Sequence, residues 1–138
     1  MNILKFLTPK NQVVYLYDDF SLRQAMEKME YHHYTAVPVI NRNGEYVDIL
    51  TEGDILWALK DRCAFDMRLA EQTPLRAVER HSQKNPIGVN SNIEDLMSLA
   101  INQNFVPVID DTKVFIGIVT RKDILQYCAK LINSYTQG

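Results

Sequence analysis

The chain has 138 residues, 46% of them hydrophobic and 23% charged, with a formal net charge of −2. These values suit one ordinary domain or two very small ones packed together, and they exclude wholesale disorder and a general polyanion binder. Cys63 and Cys128 stand in unrelated contexts that give neither a zinc pattern nor a disulfide framework, and no run approaches the ~18 apolar residues of a membrane span. A reduced cytoplasmic compartment is the natural reading.

Residues Met1 to Lys10 carry Ile3, Leu4, Phe6 and Leu7 but are broken by Lys5, too short and interrupted for a signal-peptide core. The expectation is one helical turn packed on the domain and ended by Thr8-Pro9. A short strand follows at Val13 to Tyr17. Ser21-Leu22-Arg23-Gln24 reads as a capping box, with Leu22, Ala25, Met26 and Met29 at helical spacing behind it. The next strand starts with Pro38 in Val37-Pro38-Val39-Ile40. After a turn at 41–44 comes an apolar strand from Tyr46 to Leu50, then a helix from Glu52.

Thr73-Pro74 predicts an N-cap and a helix over Leu75 to Arg80. His81 to Pro86 reads as an exposed connector. The order then repeats. A strand at Gly88 to Asn90 leads to a helix capped by Asn92, with Ile93, Leu96, Met97 and Ala100 on one face. Val106-Pro107-Val108-Ile109, a turn at 110–113, a strand from Phe115 to Val119 and a helix from Arg121 complete it.

The second half copies the first. Val-Pro-Val-Ile occurs twice unchanged, and Thr51 to Leu56 matches Thr120 to Leu125 at four of six positions. Pro38 to Pro107, Thr51 to Thr120 and Asp54 to Asp123 are each 69 positions apart. Ser21 to Asn92 is 71, so the second copy is two residues shorter between helix and Val-Pro-Val. The fold class is therefore α/β (an α+β sandwich-like arrangement), β-α-β-β-α twice, with two copies packed as one because neither could bury both faces of so small a sheet.

Pro-Val-Ile, a turn, and apolar-x-apolar-Thr-x-x-Asp-Ile-Leu, present twice over about residues 8 to 133, resemble the CBS domain, whose tandem pair is called a Bateman module. The boundaries expected are repeat 1 at 8–62, a connector with a short helix at 63–86, and repeat 2 at 87–133. The resemblance implies an adenosine-containing ligand in clefts between repeats, regulation rather than catalysis, a disc-like homodimer and output through a partner protein. The family commonly has Gly three residues before the Thr. Gly117 supplies it in repeat 2, whereas Asp48 stands there in repeat 1 and puts a side chain where a backbone could approach ligand.

Several residues are candidates for that ligand. Thr51 and Thr120 sit where a strand gives way to a helix, whose free N–H groups suit phosphate. Asp54 and Asp123 can accept from both ribose hydroxyls, the part their counterparts play in the family. Thr-x-x-Asp is equally a relative of the capping box, and the residues alone leave capping and ligand binding both open. Tyr34, Thr35 and Ala36, and Asn104, Phe105 and Val106, would flank the adenine, although Tyr34 and Phe105 fit ordinary core or rim aromatics as well. Arg121 and Lys122 are the phosphate candidates, since cations at a helix start are otherwise unfavourable by roughly 0.3–1 kcal/mol.

The chain further resembles small stand-alone CBS proteins that bind cyclic di-AMP. That likeness would add Gln12 and Val14 to the ligand shell, with Val13 to Tyr15 as the opposite wall. AMP, ADP or ATP remains the alternative, making an energy-charge sensor. A ligand-independent interaction protein is another. No catalytic or metal motif is legible: His32, His33 and His81 lack ligand spacing, and neither a nucleophile elbow nor a phosphate-cradling Gly-rich loop occurs. No enzyme activity, cofactor, metal, nucleic acid or membrane partner is expected.

Overall fold

The computed structural model of the chain describes residues 2–81 and 83–137, and its elements divide between two compact units. The unit Val14–Lys84 holds β2 (Leu16–Tyr17), α1 (Leu22–His32), β3 (Ala36–Ile40), β4 (Tyr46–Thr51), α2 (Glu52–Asp61) and α3 (Met67–Glu71). The other unit joins Met1–Val13 to Asn85–Gly138. It holds β1 (Thr8–Pro9), β5 (Ile87–Gly88), α4 (Ile93–Ala100), β6 (Phe105–Ile109), β7 (Phe115–Thr120) and α5 (Arg121–Gln137). Each unit has the expected β-α-β-β-α order, so the α/β reading holds.

The sheet of the Val14–Lys84 unit runs β2-β3-β4, with β2 parallel to β3 and β4 antiparallel. The other runs β1-β7-β6-β5 and repeats that pattern, with β1 added antiparallel at its edge. One core gathers Leu16, Leu22, Val37, Val39, Leu50 and Leu75; the other gathers Ile3, Leu96, Val106, Val108 and Val119, all without solvent exposure. The apolar stripes read from the sequence supply both.

Local chemistry explains the ends. At Ser21 the capping box is complete: Gln24 N–H donates to Ser21 Oγ at 3.1 Å, and Ser21 N–H to Gln24 Oε1 at 2.8 Å. His33 closes α1 in the left-handed region (φ 57°), with Tyr34 N–H donating to Met29 O at 3.0 Å. Pro38 and Pro107 do not start their strands but occupy the third position, opposite Ile49 and Ile118. Glu52 N–H donates to Thr35 O, so ladder alternation points the Pro38 nitrogen away from β4. It faces the side where β2 pairs only from Val39 onward, and no ladder bond is lost.

Other expectations need correction. Thr8-Pro9 does not merely stop the N-terminal turn at Ile3–Phe6; it forms β1. Only a single 3-10 turn, Leu75–Ala77, stands where a helix to Arg80 was expected. Thr73 does not cap it, because its hydroxyl donates back to Leu69 O at 2.8 Å and closes α3. That helix, capped by Asp66, was not anticipated. Cys63 lies buried just beyond α2. The strand expected at Val13 to Tyr17 shrinks to Leu16–Tyr17, and the one expected at Gly88 to Asn90 lies instead at Ile87–Gly88. Ser82 of the connector and Met1 of the N-terminal turn lie outside the described residues.

Gly117 marks the tightest approach. A Cβ there would overlap the Thr8 carbonyl oxygen and stand 2.9 Å from Leu7 Cδ1 and 3.1 Å from Pro9 Cα, at φ +155°. Gly117→Ala should therefore cost about 1–3 kcal/mol in urea unfolding. Gly53→Ala, whose nearest neighbour is Thr51 Oγ1 at 3.7 Å, should be close to neutral. Equal unfolding midpoints for the two variants would refute the close approach.

Candidate functional site

The expected site residues fall into two sets. Val14, Tyr34, Thr35, Ala36, Thr51 and Asp54 belong to the Val14–Lys84 unit; Gln12, Asn104, Phe105, Val106, Thr120, Arg121, Lys122 and Asp123 belong to the other. In the first set, Thr35 O accepts Glu52 N–H at 3.0 Å and Ala36 pairs with Thr51, so both lie beside the start of α2. Tyr34 is half exposed and stacks on His32, ring centroids 5.4 Å apart. Val14 lies ahead of β2 and packs on the core.

Asp54 is 1% exposed, and both of its oxygens are occupied. Thr51 N–H donates to Oδ2 at 3.0 Å, completing a capping box with Thr51 Oγ1, which accepts Asp54 N–H at 3.2 Å. His81 N–H donates to Oδ1 at 3.1 Å. The capping alternative therefore describes Asp54 here, and the connector lies across it.

Asp48 is the anchor of that connector. It is buried, and its Oδ1 accepts Ile49 N–H at 2.7 Å and Lys84 N–H at 3.3 Å. Arg80 Nε stands 4.0 Å from its Oδ2, while Arg80 Nη1 donates to Val78 O. The Tyr46 hydroxyl donates to Lys84 O at 2.6 Å. Burial, with the Asp48 carboxylate adding to it, pushes the Tyr46 hydroxyl well above the ordinary phenol range, so it stays a donor. Asp48 thus faces connector rather than ligand, which corrects the expectation. The connector is exposed at His81, Gln83 and Asn85, as expected, and is held at Lys84.

In the second set, Arg121 N–H donates to Asn104 O at 2.8 Å and Phe105 pairs with Thr120, the same juxtaposition as in the first. Val106 is fully buried in the core, so its side chain cannot flank a base. Gln12 ends a short 3-10 turn and is exposed. Thr120 Oγ1 accepts Asp123 N–H at 3.2 Å. Among the described residues nothing donates to the Asp123 carboxylate, which lines a cleft of about 360 Å³ with Lys5, Thr8, Tyr127 and Lys130.

Lys122 is exposed and lines a neighbouring hollow of about 530 Å³ with Asn104, Arg121 and Gln126. Gln126 borders both spaces. Arg121 is otherwise engaged. Its Nε donates to Ala100 O at 2.7 Å and its Nη2 to Ile101 O at 3.2 Å, the carbonyls ending α4. A guanidinium at a helix C-terminus is favourable, and that offsets its placement at the start of α5 without any anion.

Sequence reasoning missed Lys5, Tyr127 and Lys130, since nothing local ties the N-terminus to α5. It noticed Asp48 in place of Gly but not its partners. Among the described residues no group of three His, Cys, Asp or Glu is placed to hold a metal ion, and no helix is long and apolar enough to cross a membrane.

Two α/β units with a shared β-α-β-β-α order, each joining Thr-x-x-Asp to the segment before its Val-Pro-Val strand, define a tandem-repeat module. The CBS domain profile matches residues 5–61 and 78–130, and the chain belongs to the CBS-domain family as a tandem pair, a Bateman module. Among solved structures, it is similar to CbpB in complex with c-di-AMP (TM-score 0.85, 26% identity, 99% of this chain and 90% of that one). It is also similar to CbpB from Streptococcus agalactiae (TM-score 0.82, 25% identity, 98% and 84%). A curated relative, L-aspartate semialdehyde sulfurtransferase of Methanocaldococcus jannaschii, is 29% identical over 108 residues, 78% of this chain. The chain spans only 20% of that protein.

The two aspartates should behave differently. Asp54→Ala removes a cap and leaves His81 N–H without its acceptor, and should destabilise by about 1–3 kcal/mol. Asp123→Ala keeps the Thr120 cap and should cost no more than about 1 kcal/mol. Urea unfolding of both variants measures this, and the reverse order would contradict the assignment.

Proposed function

We propose that the chain is a regulatory receptor for an adenine nucleotide, and that the ligand is cyclic di-AMP. The observation that carries this reading is the second Thr-x-x-Asp motif. Its Asp123 carboxylate accepts no bond among the described residues, and the exposed Lys122 ammonium stands next to it in the chain. A carboxylate with both oxygens open can accept ribose hydroxyls, and an exposed ammonium can take phosphate. The choice of cyclic di-AMP rests on the likeness to CbpB, which was solved with c-di-AMP and covers nearly this whole chain.

On this reading Thr120, Lys122, Asp123, Asn104, Phe105 and Gln12 are the ligand contacts of the Asp123 repeat, and Val14, Tyr34, Thr35, Ala36 and Thr51 are the corresponding candidates of the Asp54 repeat. Arg121 contributes by holding the end of α4 and by its charge. Asp54 contributes to ligand only if His81 leaves it. The chain acts without catalysis, in the cytoplasm, as a homodimer whose bound and free states differ towards a partner protein. Ligand shifts that balance only by its differential affinity for the two states.

A thermal-shift panel of cyclic di-AMP, AMP, ADP, ATP, S-adenosylmethionine and GTP tests this. A ligand at 100 times its dissociation constant adds about 2.7 kcal/mol, a rise of several degrees for a domain of this size. Selective stabilisation by cyclic di-AMP, lost in Lys122→Ala and Asp123→Asn, is the expected result. Stabilisation by AMP or ATP instead would make the chain an energy-charge sensor. No shift with any nucleotide would leave an interaction protein.

A further inference from the structure

The first repeat carries its own occupant at the Thr-x-x-Asp carboxylate. Asp54 is buried, and His81 N–H donates to its Oδ1 at 3.1 Å. The His81 ring also lies beside the Trp57 indole, ring centroids 6.0 Å apart and planes tilted by 40°. Trp57 is 42% exposed and stands at the position that Gln126 holds in the second repeat, 69 residues on. A donor on the carboxylate and a flat heterocycle beside the indole are the two contacts a nucleoside would make there, through a ribose hydroxyl and its base.

The segment that delivers His81 is fastened by polar contacts. Lys84 N–H donates to Asp48 Oδ1 at 3.3 Å, and Lys84 O accepts the Tyr46 hydroxyl at 2.6 Å. Arg80 Nε is buried without a hydrogen bond among the described residues, 4.0 Å from Asp48 Oδ2. A buried donor left unpaired counts against the closed arrangement, so release is not far uphill. The second repeat has Gly117 in place of Asp48, and among the described residues nothing donates to the Asp123 carboxylate.

We propose that this segment is an internal competitor: His81 fills the ribose and base positions of the first repeat, and a nucleotide reaches Asp54 and Trp57 only by displacing it. This rests on the receptor reading above and adds regulation to it. The Asp123 repeat binds directly, whereas the Asp54 repeat binds at higher nucleotide concentration, its affinity reduced by the fraction of molecules in which His81 has left.

Amide hydrogen exchange and Trp57 fluorescence, on the full chain with cyclic di-AMP as the probe, test it. Trp57 is the one tryptophan of the chain, so its emission reports this repeat. Binding ordinarily slows exchange of the amides it covers; here saturating nucleotide should speed exchange of the His81 amide several-fold. Tyr46→Phe removes one fastening bond. It should speed the same exchange without nucleotide and tighten the constant read at Trp57 roughly 2- to 10-fold, the usual worth of one neutral hydrogen bond.

A His81 amide that nucleotide slows or leaves unchanged, while Trp57 emission follows binding, overturns the competition. So does a Tyr46→Phe chain with faster exchange and unchanged affinity. Cyclic di-AMP that stabilises the chain against heat without changing Trp57 emission at any concentration overturns the competition and leaves the receptor reading at Asp123 standing. A chain that no nucleotide stabilises overturns the receptor reading itself. The wild-type exchange measurement needs no variant, so it decides the question even if Tyr46→Phe impairs folding.

Discussion

The approach of β1 to β7 at Gly117 is the constraint on which the Asp123 side of the molecule depends. Only a residue without a Cβ lets the Thr8-Pro9 backbone lie against that edge. With β1 seated, Ile3 and Phe6 enter the core of the second repeat, and Lys5 and Thr8 come to border the cleft that holds Asp123. The N-terminus thus serves the far half of the chain. The family match reflects the same connectivity, since each matched stretch begins upstream of its repeat's first strand, at residues 5 and 78.

At the matching position of the first repeat, Asp48 changes the outcome. A carboxylate buried there must be satisfied, and it is satisfied by the connector, through Lys84 N–H, with Arg80 nearby. Tyr46 holds the same stretch through Lys84 O. Pinned in this way, the connector brings His81 N–H onto Asp54. One substitution between repeats therefore separates two aspartates of identical motif. One is a structural acceptor sealed from solvent, and the other lines a cleft and accepts no bond at its carboxylate among the described residues.

Arg121 shows the same economy on the side of the cations. Read in isolation, Arg and Lys opening a helix call for an anion. In the fold the guanidinium bridges to the last carbonyls of α4, whose dipole supplies the negative end it needs. It therefore ties the two exposed helices of that unit together and adds positive charge to their apolar face, while Lys122 remains directed to solvent.

The sequence by itself determined everything carried by short-range pattern. The duplicated Val-Pro-Val-Ile and Thr-x-x-Asp, the constant offset, the Ser21 box and the apolar stripes were enough for the fold class and for the family. Capping and helical periodicity act within a few residues, and a strand-turn-strand spacing survives duplication intact. Both Thr-x-x-Asp motifs cap through the Thr hydroxyl, and only the tertiary structure decided which aspartate carboxylate is taken up by protein donors. The partners that decide it lie far off in the chain: His81 for Asp54, Lys84 for Asp48, and Ala100 and Ile101 for Arg121. The helix at Met67–Glu71 escaped for the related reason that its five residues are too few to show a period. A hydrogen bond across such separations leaves no periodicity to read, and an aspartate's role follows from which donor the fold brings to it.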